Sequence, residues 1–231
     1  MEANRHDLET IVIIPARGGS RGIKRKNLRD LGGIPLLAHS ILAAKASTHV
    51  NRIVVSTDDE DIADTARRHG AEVPFLRPTA IAGDRAIIGD AVQHVLDELK
   101  KREGYDPNVV ATMYPTHPFR TPALVDTLLG KIDQGYKTVI TVRPIALPRH
   151  RWCSLRPDES LRILPPAPAG PMLWAHRPYG LFTATTSLPC PLGVYLYPLR
   201  LGIELIDIDD PEDLRLARHM LRDGIAPMVE S

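Results

Sequence analysis

A glycine-rich stretch with a high density of positive charge follows the first predicted strand of the chain. Between Arg17 and Arg29 the sequence carries six basic residues and no acidic one, interrupted by Gly18, Gly19 and Gly22. Glycines let backbone N–H groups approach an anion closely, and cations neutralise its charge, so the stretch predicts a polyphosphate site. A solvated basic loop or a nucleic-acid patch would have the same composition. The position favours phosphate, because open α/β sheets bind ligands at the carboxyl ends of their strands.

A pair of carboxylates late in the chain could supply a metal site for the same chemistry. Asp207 and Asp209 stand two residues apart in the sequence IDIDDPED. On an extended chain they share a face, so both could reach one Mg²⁺ ion while Ile208 points into the core. Cations at one strand end and paired carboxylates at another are what metal-assisted nucleotidyl transfer requires. Helix N-capping is the competing role for Asp209 and Asp210, and also for Asp59 before the second predicted helix.

Composition and missing motifs exclude several other classes of protein. The chain has 231 residues, 43% of them hydrophobic, and a net charge of +1, so it can bury a core but does not bind nucleic acid through general charge. No H-E-x-x-H motif, His/Cys cluster or G-x-S-x-G motif occurs, which argues against a zinc site and against acyl-transfer hydrolysis. We expect no signal peptide from the acidic N-terminal residues, and prolines and glycines interrupt the uncharged run 178–199. We therefore expect a cytoplasmic protein without a membrane span, and buried irregular structure at 178–199.

The rest of the chain alternates between strand and helix patterns. β-branched runs predict strands at 10–14, 52–56, 109–113, 138–142 and 202–208, and apolar residues at helical spacing predict helices at 35–46, 60–69, 88–99, 124–132 and 211–222. Strands that alternate with helices need right-handed crossovers and a mostly parallel sheet. The predicted fold class is therefore α/β, with three layers.

One segment breaks this alternation. Eleven of the 21 prolines lie between residues 144 and 198, and no helical period survives there. We predict an α/β domain formed by residues 1–142 and 200–231, with 143–199 as a small Pro-rich insert for acceptor binding and dimerisation. Six aromatic residues of the insert could line a sugar pocket or fill a dimer contact: Trp152, Trp174, Tyr179, Phe182, Tyr195 and Tyr197.

Four sequence blocks resemble a known family. IPARGGSRGIKRKNL is similar to the nucleotide loop of the CMP-N-acetylneuraminate synthetases, or acylneuraminate cytidylyltransferases, and RIVVSTDDEDIADTARRHGAEVPFLRP, YPTHPFR and IDIDDPEDLRLA resemble their later blocks in the same order. The resemblance implies a Rossmann-like nucleotidyltransferase fold and Mg²⁺ as cofactor. It also implies transfer of CMP from CTP to the anomeric hydroxyl of an acidic sugar, with release of pyrophosphate, by a homodimer formed through the insert.

The resemblance further implies roles for individual residues. Nucleotide binding would involve Arg17, Gly18, Gly19, Ser20, Arg21 and Lys26 at the phosphates, and Asn27, Arg77 and Asp84 around the nucleoside. Asp207 and Asp209 would hold the metal, and together with Arg17 and Lys26 they would be the catalytic residues. The family usually has lysine at the position of Arg21, whose planar guanidinium makes a different contact geometry.

The acceptor side departs further from the neuraminate members. Those members have glutamine, a residue associated with the sugar, where this chain has Tyr114, and Tyr-Pro-Thr-x-Pro-Phe is more similar to the pseudaminate branch. The implied acceptor-binding residues are Tyr114, Thr116, Arg177 and Tyr179, and the cations that could bind an acceptor carboxylate are Arg143, Arg149, Arg151 and Arg177. Pseudaminate-, legionaminate- and neuraminate-type acids are all candidates. Two alternatives stay open: the same fold acting on a sugar phosphate or another small acid, and a non-catalytic nucleotide-binding relative.

Overall fold

The computed structural model describes residues 8–83, 87–146, 153–155, 161–163, 174–200 and 202–227. A six-stranded sheet forms its centre, with strands β1 (Thr10–Pro15), β2 (Arg52–Ser56), β3 (Val109–Thr112), β4 (Tyr136–Ala146), β5 (Trp174–Thr186) and β6 (Leu192–Pro198). The strand order is β6-β4-β5-β3-β1-β2. Strand β5 is antiparallel to both of its neighbours, whereas the other pairs are parallel. The carboxyl ends of five strands therefore lie at one edge of the sheet.

Helices cover both faces of this sheet: α1 (Leu36–Lys45), α2 (Glu60–Arg68), α3 (Ile88–Glu103) and α4 (Pro122–Asp133). Helix α5 (Pro211–Arg222) packs instead on a separate apolar cluster. Side chains of β1 alternate between the two faces. Ile11 and Ile13 pack against α3, whereas Val12 and Ile14 join a second cluster with α1, α2 and α4. A strand covered on both sides needs a continuous apolar run, which explains the sequence TIVII. The predicted α/β fold class and its three layers are confirmed.

Two helix starts settle which of the acidic residues act as caps. The Asp59 carboxylate accepts a hydrogen bond from the backbone N–H of Ile62 at 3.1 Å, at the start of α2. At α5, Asp210 caps the helix in a reciprocal pair with Asp213. The predicted capping role is thus confirmed for Asp59 and Asp210, and the Asp209 side chain takes no part in it.

The predicted strand at 202–208 is wrong. Residues Gly202–Leu205 form a 3₁₀ turn, and the chain then runs on as a loop to α5. Ile203 and Ile206, three residues apart, both pack in a cluster beneath α5, so this segment follows a helical turn and not the two-residue period of a strand. The backbone N–H of Ile208 donates to the carbonyl oxygen of Thr116 at 2.8 Å, which ties the end of this segment to the loop after β3.

The irregular structure predicted for 178–199 is also wrong, because this run supplies most of β5 and all of β6. Prolines are tolerated there by their positions: Pro178 lies at a register shift between β4 and β5, Pro189 and Pro191 lie in the connection, and Pro198 ends β6. The boundaries of the 143–199 insert stay a prediction, although its last two strands belong to the central sheet. Among the described residues, no helix has the length and apolarity needed to cross a bilayer.

The aromatic residues of the insert lie largely in the core. Phe182 is fully buried and Tyr179 nearly so, while Tyr195 and Tyr197 pack against the same cluster. Phe182 therefore cannot serve a sugar pocket or a dimer contact, contrary to the prediction. Trp152 and the side chain of Trp174 lie outside the described residues.

Candidate functional site

A cavity of about 350 Å³ opens at the edge of the sheet where β1, β2 and β3 end. Its wall brings together residues predicted from all parts of the sequence: Arg17, Asn27, Arg77, Tyr114, Thr116, Asp207 and Asp209. Gly18 adjoins it on the loop after β1. Of the other predicted loop residues, Gly19 and Arg21 are exposed and Ser20 is half-buried. Asp84, Arg149 and Arg151 lie outside the described residues.

The loop after β1, residues 16–27, is held in place by the acidic pair that follows β2. The backbone N–H of Gly18 donates to Asp58 Oδ1 at 2.9 Å. A Cβ at Gly18 would lie 2.8 Å from Asp59 Oδ2, so only glycine allows this approach. On the other side, the Asn27 amide donates to the carbonyl oxygen of Arg17 at 3.0 Å. The Asp58–Asp59 pair thus anchors the loop, a role that sequence reasoning missed.

The same loop touches the carboxylate segment directly. Lys26 Nζ lies 2.8 Å from Asp209 Oδ1 in an ion pair. A Cβ at Gly22 would lie only 2.0 Å from the backbone carbonyl oxygen of Asp209. The basic loop and the paired aspartates, separated by most of the chain, therefore form one site.

A buried arginine, Arg77, forms one end of the cavity. Arg77 is 7% exposed, and its guanidinium donates to the hydroxyl of Ser56 at 3.1 Å and to the Ser56 carbonyl oxygen. Burial lowers the pKa of Arg77, a shift that Asp58 opposes and Arg17 reinforces. Two guanidinium groups thus lie close together at this end, and their combined charge favours an anionic or carbonyl-rich ligand.

The opposite wall is built from stacked rings. Tyr114 lies parallel to His117 with ring centroids 6.4 Å apart, and His117 packs against Tyr179 at 4.6 Å. A Cβ at Gly180 would lie 2.2 Å from Tyr114 Cδ2, so this glycine makes room for the ring. The Tyr179 hydroxyl donates to the carbonyl oxygen of Leu205 at 2.7 Å. Tyr114 reaches the cavity, whereas the predicted acceptor residue Tyr179 lies behind its wall.

His117 is a buried group of this wall that sequence reasoning did not single out. Its Nδ1 lies 3.1 Å from the carbonyl oxygen of Ile206, and its Nε2 lies 3.8 Å from Asp207 Oδ1. Burial lowers the pKa of His117 to about 4, against the opposing effect of Asp207. The imidazole is therefore neutral near pH 7. The motif YPTHPF was the one signal that could have pointed to it.

Two arginines face each other beside the ring stack. Arg143 of β4 and Arg177 of β5 are direct partners across the antiparallel pair, and the Arg143 guanidinium lies 5.7 Å from the centre of the Tyr179 ring. Burial raises the pKa of Tyr179 to about 12, with Asp207 adding to the effect and the two arginines opposing it. Like charges directly opposite in a sheet are unfavourable, so this pair would gain from a bound anion.

The donor set at Asp207 and Asp209 fits a magnesium ion. Both carboxylates line the cavity, while Ile208 between them is fully buried, as the sequence predicts. Within the described ranges, no cluster of three or more His, Cys, Asp or Glu side chains is suited to a metal. Mg²⁺ usually binds through one or two carboxylates and takes its other ligands from water and substrate phosphates. Two aspartates beside a basic, glycine-rich loop meet the protein's part of that requirement.

Comparison with known proteins agrees with this geometry. Residues 11–149 match the family model described as cytidylyltransferase, so the chain belongs to the cytidylyltransferase family. It is 39% identical over 148 residues to the CMP-N,N'-diacetyllegionaminic acid synthase of Legionella pneumophila, a match that covers 63% of this chain and 62% of that protein. It is 41% identical over 129 residues to a pseudaminic acid cytidylyltransferase of Campylobacter jejuni, with 55% of each chain covered.

A third relative extends the likeness to the neuraminate enzymes. The N-acylneuraminate cytidylyltransferase of Escherichia coli is 35% identical over 134 residues, which are 57% of this chain and 30% of that protein. The chain thus spans about a third to three fifths of the length of these curated relatives. The family resemblance predicted from the four sequence blocks is confirmed.

Solved structures of low identity share the fold. CMP:2-keto-3-deoxy-manno-octonic acid synthetase, in a complex with CTP, superposes with a TM-score of 0.67 at 16% identity and covers 94% of this chain and 99% of that one. A 4-diphosphocytidyl-2C-methyl-D-erythritol synthase from Anaerococcus prevotii gives a TM-score of 0.60 at 13% identity, covering 93% and 99%. The predicted Rossmann-like nucleotidyltransferase fold is confirmed by these likenesses.

Proposed function

We propose that this protein transfers CMP from CTP to the anomeric hydroxyl of an acidic nonulosonic sugar and releases pyrophosphate. The observation that carries the proposal is the direct contact between the basic loop and the aspartate segment, through Lys26 and Gly22 at Asp209, at the mouth of one cavity. Phosphate-binding cations and metal-binding carboxylates must meet in this way for nucleotidyl transfer. Relatives named for legionaminic, pseudaminic and neuraminic acids support the acceptor class.

The residues of the loop would bind the triphosphate. Arg17 and Lys26 would neutralise its charge, and the glycines would present backbone N–H groups to its oxygens. The reaction forms a bond between the acceptor oxygen and the α-phosphorus, and breaks the bond from that phosphorus to the bridging oxygen of pyrophosphate. The acceptor hydroxyl loses its proton to solvent in the same reaction. Catalysis then depends on positioning and on charge neutralisation at the phosphates. Asp207 and Asp209 would hold Mg²⁺, which when bound neutralises phosphate charge.

The cytidine end of the nucleotide would lie beside Asn27 and Arg77. The solved neighbour in complex with CTP supports this choice of nucleotide. An acceptor would lie toward Tyr114 and Thr116, on the side of the cavity nearest to Asp207. Its carboxylate would bind the Arg143–Arg177 pair, since two facing guanidinium groups favour a bidentate anion.

We also propose that the protein acts as a homodimer. Strand β6, at the end of the insert, lies at the edge of the sheet and exposes Leu192, Val194 and Leu196 in a row on one face. Exposed apolar rows on edge strands are typical of association surfaces. A Leu196→Lys variant should lower the mass found by analytical ultracentrifugation from a dimer to a monomer. Wild-type protein that sediments as a monomer would refute this part of the proposal.

A matched pair of variants tests the proposed chemistry. Asp209→Asn should reduce pyrophosphate release at least about 100-fold, because a metal-binding carboxylate acts on the phosphates in the transition state. Asp223→Asn removes the same charge from the exposed end of α5 and should leave the rate unchanged. Equal rates for both variants would refute the metal assignment.

Nucleotide binding is tested separately by calorimetry. Arg17→Ala should weaken CTP binding, and unchanged affinity would refute the role of the loop.

Acceptor assays distinguish the two alternative functions. Turnover of a sugar phosphate but of no sugar acid would favour an enzyme of the same fold that acts on a sugar phosphate. Binding of CTP without turnover of any acceptor would favour a non-catalytic relative.

A further inference from the structure

A fully buried arginine lies just behind the ring-stacked wall of the cavity. Arg120 is 0% exposed, and its guanidinium Nε donates to the carbonyl oxygen of Leu181 at 2.8 Å. One terminal nitrogen donates to the Ser40 hydroxyl at 3.1 Å, and the other donates to the carbonyl oxygens of Leu181 and of Tyr114, the latter at 3.2 Å. Its ligands are thus neutral oxygens, and in the described part of the chain no carboxylate forms an ion pair with it.

A buried cation of this kind is costly and needs a reason. Burial lowers the pKa of Arg120 to about 9, so the group remains charged near neutral pH. A buried charge without an opposite charge beside it is unfavourable until its hydrogen bonds offset the loss of hydration. An apolar side chain of similar size would fill the same space without this cost. What an apolar residue could not do is hold three separate backbone and side-chain groups at fixed distances.

The groups that Arg120 joins come from three elements around the ring stack. Ser40 belongs to α1, Tyr114 to the loop after β3, and Leu181 to β5. The Ser40 hydroxyl also donates to the Tyr114 carbonyl oxygen, at 3.4 Å. Leu181 directly follows Gly180, against which the Tyr114 ring packs. Arg120 therefore fixes the backbone on both sides of the contact between Tyr114 and strand β5.

Tyr114 in turn forms part of the cavity wall, whereas Arg120 does not reach it. We propose that Arg120 is a positioning residue, which sets the place of the Tyr114 ring in the cavity wall and thereby governs acceptor binding without touching the acceptor. This inference rests on the proposed function, because it assigns the Tyr114 end of the cavity to the acceptor.

The nucleotide end offers a matched control. Arg77 is also a buried arginine whose guanidinium donates to a serine hydroxyl and a carbonyl oxygen, but its ligands belong to Ser56 at the end of β2. Replacement by lysine keeps a nitrogen donor but removes the planar fork, so the amino group cannot satisfy all of the arginine's acceptors together. The two arginines should therefore affect different substrates.

The first test compares Michaelis constants. Arg120→Lys should raise KM for the sugar acid about tenfold, since small misplacements of a binding wall are felt strongly, and should leave KM for CTP within about twofold. Arg77→Lys should show the reverse pattern. An Arg120→Lys enzyme whose two KM values change together, or not at all, would overturn the inference.

A second variant reaches the same ring without disturbing the guanidinium. Gly180→Ala places a methyl group 2.2 Å from Tyr114 Cδ2 and must displace the ring. It should raise the acceptor KM in the same way, which keeps the inference testable if Arg120→Lys does not fold.

In a Tyr114→Ala background, Arg120→Lys should have little further effect on the acceptor KM, because both changes act through one ring. Independent, additive effects would contradict the positioning role.

Fluorine NMR gives a readout that needs no acceptor. The chain has six tyrosines, so incorporation of 3-fluorotyrosine yields a small set of signals, and Tyr114→Phe identifies the one of interest. This signal should shift in Arg120→Lys and in Gly180→Ala but stay in place in Arg77→Lys. A shifted signal in an enzyme that turns over no sugar acid would mean that the proposed function fails while the positioning role stands. An unshifted signal in both variants would mean that the positioning role fails.

Discussion

A single added methyl group at Gly22 should separate the two halves of the site. A Cβ at this position would lie 2.0 Å from the carbonyl oxygen of Asp209, and both contacting atoms belong to backbone or are fixed to it. Non-bonded carbon and oxygen atoms in proteins stay at least about 3 Å apart, so the loop or the Asp209 backbone must move by about 1 Å. Gly22→Ala should therefore displace the basic loop relative to the two aspartates.

The expected effect is large on turnover and moderate on stability. A misplacement of about 1 Å at a catalytic site can cost about 100-fold in rate, which sets the expected loss of pyrophosphate release. Overpacking typically costs about 1–3 kcal/mol of unfolding free energy, so the protein should still fold. Rates are measured with CTP, Mg²⁺ and an accepted sugar acid, and stability is measured by thermal unfolding.

A glycine outside the site supplies the control. A Cβ at Gly130 in α4 would meet no atom within 4 Å, so Gly130→Ala makes the same chemical change in open space. It should retain nearly full activity. If Gly22→Ala is as active as Gly130→Ala, the contact between loop and aspartates has no bearing on catalysis and the reasoning fails.

Three further predictions concern charge, pH and capping. Lys26→Met should strengthen the binding of Mn²⁺ in the absence of nucleotide about two- to fivefold, because it frees Asp209 from an exposed ion pair worth up to about 1 kcal/mol. Electron paramagnetic resonance measures this binding. Lys24→Met removes the same charge and should leave Mn²⁺ binding unchanged. Burial lowers the pKa of His39 below its ordinary 6.5. As the pH drops below 6.5, His39 therefore gains a proton in the unfolded chain before it does in the folded protein, and the free energy of unfolding falls. His39→Gln should flatten this slope in urea titrations, and an unchanged slope would contradict the assignment. Asp210→Ala should lower the unfolding free energy by about 1 kcal/mol, and an unchanged calorimetric midpoint would refute its capping role.

The sequence predicted those features whose cause is local. The strand TIVII is apolar throughout because both of its faces are buried, and α3 has apolar residues at helical spacing because one of its faces is buried. Both patterns are visible in the sequence itself. Asp59 and Asp210 cap helices because their carboxylates reach backbone groups two or three residues away. The site loop was likewise recognisable from its own glycines and cations.

Features that depend on distant partners could not be predicted. Nothing in the run from Pro178 to Leu199 shows that an antiparallel strand enters the sheet between β3 and β4, because pairing energy depends on neighbours far away in the sequence. The segment 202–208 was read as a strand because its partner, the cluster beneath α5, is not visible in its own composition. The hydrogen bond from Gly18 to Asp58 and the burial of Arg120 could not be predicted for the same reason, since both depend on partners far away in the sequence.

The central claim is tested most directly by product analysis. The protein is incubated with Mg²⁺, one of the four nucleoside triphosphates and a panel of pseudaminate-, legionaminate- and neuraminate-type acids, and the products are followed by ³¹P NMR. The account predicts pyrophosphate together with a CMP phosphodiester to the anomeric oxygen of one sugar acid, formed with CTP and not with ATP, GTP or UTP. A phosphodiester formed equally well from the other nucleotides, or none with any acid although CTP binds, would contradict it.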